Sequence, residues 1–175
     1  MKDIVSYIIQ FLLGTNQKEE ISQLVGYTND TNQFANYRVV IRPSSFFKEG
    51  IYGTPHSLPH LPLKEIENVP LLFGSSKSEW YGNTWVVHGD IIASTYFLIT
   101  RYEETLKREI RDTHGRFPGK ESLPYKAGFI HRPLVEEYGK LLRKWLRQAQ
   151  VKGITEPKQQ IKKIWLTHDI DAPFY

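Results

Sequence analysis

Cysteine is absent from the 175 residues. Its absence excludes disulfide staples and thiolate metal sites together, and it fits a reducing compartment. Also missing is any run near the roughly 18 consecutive apolar residues that a membrane span needs. The apolar stretch at the amino terminus is interrupted by Ser6 and Gln10 and carries an acid at Asp3. It lacks the basic start, the unbroken apolar centre and the small-residue cleavage site of a secretory signal, so it reads as a core-facing helix. A soluble, cytoplasmic chain is the expectation. Neither sign of charge dominates: 23 Lys and Arg against 19 Asp and Glu leave a net +4, intermixed along most of the sequence. Composition therefore gives no reason to expect nucleic acid as a partner. Repeats and low-complexity segments are lacking as well.

What is present is apolar. Hydrophobic residues make up 40% and aromatic residues 13% of the chain, enough to bury one main core at this length. A first helix is expected from Asp3 to Leu13, with Asp3 as N-cap, Gly14 as stop, and Ile4, Ile8, Phe11 and Leu12 on its buried stripe. After a polar loop around Asn29 to Asn36, the β-branched run Tyr37 to Ile41 predicts a strand that Pro43 ends. Phe46 to Pro62 reads as a long connection. Pro70 to Phe73 and Glu79 to Val87 predict further strands, the second turning at Gly82-Asn83 like a hairpin.

Asp90 then caps a helix that is apolar nearly all round, which implies deep burial. A third helix starts at Pro133 and carries Leu134, Val135, Tyr138, Leu141, Leu142 and Trp145 at helical spacing. Its opposite face, Lys140, Arg143, Lys144 and Arg147, reads as solvated. Three main helices and several strands predict an α/β fold with a mixed sheet over residues 1–153, followed by a linker over 154–163. Strand-like alternation resumes from Ile161 to Thr167, and a new unit begins at residue 164.

That unit carries the one motif with chemistry in it. Trp165-Leu166-Thr167-His168-Asp169-Ile170-Asp171 is an apolar strand delivering two carboxylates to its carboxyl end, where groups of parallel-strand barrels converge on substrate. Two acids so placed can divide metal binding and proton removal between them. An Asp-x-Asp triplet alone is a weak signal. Its surroundings resemble the first motif of the polysaccharide deacetylases, the NodB-homology family, in the form Thr-His-Asp-Ile-Asp. The resemblance implies the first strand of a truncated (β/α) deacetylase barrel, with Asp169 as catalytic base and Asp171 as a ligand to zinc or another divalent cation. The paired histidines that complete that metal sphere in the family would lie beyond Tyr175.

Upstream, His88 to Ser94, Phe97 to Glu104, Asp112 to Pro118, Glu121 to Leu123 and His131 to Pro133 together resemble the uncharacterised domain that precedes such barrels in bacterial deacetylase-like proteins. The resemblance implies an accessory domain whose partners are its own barrel and a glycan. It also implies that this stretch binds no metal tightly and is inactive by itself, the whole protein removing N-acetyl groups.

A separate polar cluster, Arg101, Glu103, Glu104, Asp112, His114 and Arg116, is either a salt-bridge network fixing a loop or a binding site for a glycan or polyanion. A self-contained hydrolase built on Asp112 and His114 lacks a recognisable nucleophile. His56 and His60 sit four residues apart, but Pro55, Pro59 and Pro62 exclude the helix that would bring both to one metal.

Overall fold

Three short runs of apolar residues, too short to show a period, form the centre of the molecule. The computed structural model describes residues 2–14, 19–157 and 163–165. Strands β1 (Val25–Tyr27), β2 (Val39–Ile41) and β6 (Thr84–Gly89) lie parallel. Strand β5 (Gly74–Tyr81) adds to β6 antiparallel, giving the order β1-β2-β6-β5. The hairpin between β5 and β6 turns at Gly82-Asn83, as the sequence predicts, and Gly82 supplies a positive φ there. A second, two-stranded sheet pairs β3 (Lys64–Ile66) with β4 (Val69–Leu71) across Glu67 and Asn68, both in the left-handed region. The result is a mixed α/β fold with a mixed sheet and several helices.

Both faces of the main sheet are covered at β2 and at Val86-Val87 of β6, which read as continuous apolar runs and not as alternations, whereas the edge strand β5 is largely exposed. Val39, Ile41 and Val87 belong to the large core formed with α1 (Lys2–Leu13), α3 (Ile91–Ile99) and α6 (Leu134–Gln148). Val40 and Val86 face the other way, onto Phe34 of a 3₁₀ turn, Thr31–Asn36, and onto Tyr37. Short helices α2 (Glu19–Ser22), α4 (Tyr102–Leu106) and α5 (Leu123–Lys126) complete the described chain.

The helix starting near Pro133 buries Leu134, Tyr138, Leu141, Leu142 and Trp145 as its spacing predicts. Three expectations need correction. In α1 the buried residues are Ile8, Ile9, Leu12 and Leu13, while Ile4 and Phe11 are exposed. The buried stripe is turned by about one residue because α6 packs along it, and Gly139 permits a close approach: a Cβ there would lie 2.6 Å from the Leu12 carbonyl oxygen. Asp3 lies within the first turn of that helix and not before it. Arg143, assigned to the solvated face of the third helix, is buried at 2% exposure. Its guanidinium donates to the Leu12 carbonyl at 2.7 Å and to Glu156 Oε2 at 2.8 Å, so it satisfies an unpaired carbonyl at the end of α1.

The strand expected from Ile161 to Thr167 is not seen at Lys163–Trp165, which have no regular structure. Ile164 and Trp165 are 71% and 74% exposed. The rest of that segment lies outside the described residues.

Candidate functional site

Parallel strands bring their carboxyl ends to one edge of a sheet, and in open α/β folds that edge is where ligand sites form. Here the ends of β1, β2 and β6 meet at Asp90. Tyr27 is the last residue of β1, Ser44 follows β2 after Pro43, and Asp90 follows Gly89 at the end of β6. The Asp90 carboxylate accepts from Tyr27 Oη at 2.9 Å, from Ser44 N and Oγ at 2.7 Å each, and from Ala93 N at 2.9 Å. The last of these is the N-cap bond of α3 that the sequence predicts. Burial pushes the Asp90 carboxyl above its usual range, against the donors that favour the charged form. Burial also raises the Tyr27 phenol, and the neighbouring Asp90 carboxylate adds to that rise. Asp90 is fully buried, so it fixes the sheet edge and does not reach a ligand itself.

Beside this hub opens a cleft of about 270 Å³. Ser44 and Ser45 border it on the β2 side, the segment His56 to Lys64 on another, and Leu71 to Gly74 on a third. The segment holding His56 is fastened from behind by aromatic residues. Tyr102 Oη accepts from Gly53 N at 2.6 Å and lies 2.8 Å from Ser57 Oγ, and Tyr52 Oη lies 2.6 Å from Tyr96 Oη. Phe46 is buried in the same cluster, 4.7 Å from the Phe73 ring and 5.0 Å from that of Tyr102. The long connection from Phe46 to Pro62 is therefore a packed wall with one 3₁₀ turn at Pro55–Ser57, where the sequence shows only breakers.

The polar cluster read from the sequence divides into separate sets of partners. Arg101 pairs with Glu104 through both Nε and Nη2 at 2.7 Å. Glu103 is buried and holds Lys107 Nζ at 2.8 Å and Leu123 N at 2.8 Å. Asp112 accepts from the backbone of His114 and Arg116 and from Arg116 Nε, closing a turn on itself. The Arg116 and His114 backbone bonds, with the Arg116 side chain, hold the Asp112 carboxyl below its usual value. His114 is exposed and enters this turn through its amide. His88, by contrast, lies 2.9 Å through Nε2 from Glu79 Oε1 on the neighbouring strand.

Asp169 and Asp171 lie outside the described residues. Among the described residues, no group of three or more His, Cys, Asp or Glu is placed to hold a metal ion, and no helix is long and apolar enough to cross a membrane. Sequence reasoning reached Asp90 only as a cap and missed the cleft. Its signal was the pair of serines directly after a strand-ending proline.

A family described as a family of unknown function, DUF7033, matches residues 1–151. No curated protein and no solved structure matches the chain.

Proposed function

We propose, from the premise that the chain belongs to the DUF7033 family, that it is the amino-terminal accessory domain of a polysaccharide-deacetylase-like protein. The complete protein would hydrolyse N-acetyl or related amide bonds on a glycan. Its catalytic unit would begin at the Thr-His-Asp-Ile-Asp motif, with Asp169 as base and Asp171 as one ligand of a divalent cation. The observation that carries this reading is where the core closes. Helix α6 packs on α1, Arg143 joins the end of α1 to Glu156, and Pro157 lies against Gly14. A Cβ on Gly14 would sit 2.9 Å from Pro157 Cγ. The family match ends at residue 151, upstream of the acidic motif. On this reading the two aspartates belong to a different unit, and two carboxylates without the remaining ligands bind a cation weakly.

Two measurements test it. The purified 175-residue chain, supplied with zinc and an N-acetylated oligosaccharide, is expected to release no acetate; steady release would end the reading. A chain cut after Pro157 is expected to unfold with the same midpoint and cooperativity as the longer one. A marked loss of stability would show that the tail belongs to the core. The alternative, a non-catalytic glycan or polyanion binding module, finds its support in the cleft; in the Arg101 to Arg116 segment Arg101, Lys107 and Arg116 are each paired with a carboxylate within four residues.

A further inference from the structure

The basic residues around the cleft converge on one cavity with no carboxylate in its lining. Five lysines elsewhere on the surface are paired: Lys77 with Glu79, Lys107 with Glu103, Lys126 with Glu121, Lys140 with Glu136 and Lys144 with Glu67. His56, His60 and Lys64 are exposed, border one cavity, and make no side-chain hydrogen bond or ion pair among the described residues. No Asp or Glu lines that cavity. The Asp90 carboxylate, which accepts from Ser44 of the lining, is itself fully buried. A cleft whose ionisable side chains are all basic attracts anions, because nothing inside it competes for them.

Its shape narrows the choice further. The cleft holds about 270 Å³, just under the roughly 300–1,000 Å³ that accommodates drug-sized ligands. That is room for a single ring with its substituents. The lining combines an apolar side, from Phe46, Leu71 and Phe73, with a polar side from Ser45, His56 and His60. Such a lining suits a body that is apolar on one face and hydrogen-bonding on the other. Tyr102 fastens the histidine-bearing wall to the core, so the cleft exists before any ligand arrives and binding need not order it.

We propose that this cleft, at the carboxyl end of β2, binds a sugar-sized organic anion, its carboxylate or phosphate held by His56, His60 and Lys64. The site stands independently of the accessory-domain reading, since it uses only residues of this domain. Amide-resolved NMR titration of the 175-residue chain in about 0.15 M salt, where longer-range attraction is screened, provides the test. The probes are glucuronate, glucose 6-phosphate, inorganic phosphate and neutral glucose. Saturable shifts confined to residues 44–46, 56–64 and 71–74 are expected with glucuronate or glucose 6-phosphate and not with glucose. The stronger of the two anions then identifies the headgroup, and binding of inorganic phosphate alone shows how much the ring adds.

The double variant His60→Ala, Lys64→Ala is expected to weaken binding at least tenfold while its melting curve is unchanged. Arg101→Ala should leave binding as it was. The proposal is overturned if glucose binds as well as the anions, if no probe saturates, or if the shifts fall on Arg101 to Arg111 instead. Acetate release by the chain would bear on the accessory-domain reading and leave this one standing.

Discussion

Two polar regions of the molecule carry their charge in opposite ways. Asp90 is a single carboxyl at 0% exposure whose partners come from Tyr27, Ser44 and Ala93, up to 63 residues away in sequence. The Arg101 to Arg116 stretch holds far more charge, yet its ion pairs close within four residues. Removing Asp90 would release three strand ends at once, whereas removing Arg101 releases one side chain to water. Density of charge in a sequence therefore marks a surface, and convergence from distant segments marks a position on which the architecture depends.

The sharpest way to break that comparison is Asp90→Ala. It abolishes the α3 cap and leaves the amides of Ser44 and Ala93 buried without an acceptor, so a loss of about 3–5 kcal/mol is expected in chemical denaturation. A loss within 1 kcal/mol would show that the sheet edge does not need the hub. The pH dependence supplies an independent check. The folded Asp90 carboxyl lies above its ordinary value of 3.8. Its contribution is thus fully present below that value and declines as pH rises through the folded one. The stability gap between the native chain and Asp90→Asn should accordingly shrink from acid towards neutral pH, and a widening gap would reverse the assigned direction.

Arg143→Ala comes next, with about 2–4 kcal/mol expected from a buried charged donor that also fills space between α1 and α6. Arg101→Ala should cost no more than about 0.5 kcal/mol, as exposed ion pairs do. The smallest effect refines the comparison from the other side. Thr95 Oγ1 is buried with no hydrogen-bond partner among the described residues. Thr95→Val is therefore expected to be neutral or to raise the melting temperature slightly. A clear loss would reveal a partner for that hydroxyl.

The elements legible in the sequence are those whose pattern is long or whose punctuation is local. Helix α6 has a full helical period over fifteen residues, and the α3 cap and the Gly82-Asn83 turn are each written within a few positions. Strand β1 has only three residues, Val25–Tyr27, and shows no period at all. The β3–β4 turn was hidden because Glu67 and Asn68 adopt positive φ without glycine. That turn is held from outside: Lys144 and Trp145 donate to Glu67, and Arg132 Nη2 donates to the Asn68 carbonyl. Burial alone would raise the Glu67 carboxyl, but those bonds and the Lys144 charge outweigh it and hold it low.

Arg143 was misread for a related reason. Arginine on a helix is solvated by default, and its burial becomes favourable only where the Leu12 carbonyl, 131 residues away, and the Glu156 carboxylate meet it. The cleft was equally hidden, since Ser44, His60 and Leu72 become neighbours only through the sheet.

The contact between α1 and α6 sets an order of events during synthesis. The first helix is made at the outset, but the surface that covers Ile8, Ile9, Leu12 and Leu13 includes a helix ending at Gln148. Until that helix leaves the ribosome, those side chains and the Leu12 carbonyl lack the cover that it supplies. Nearly the whole domain must therefore be translated before its core can seal, which makes the emerging amino terminus the segment on which a holding chaperone would act.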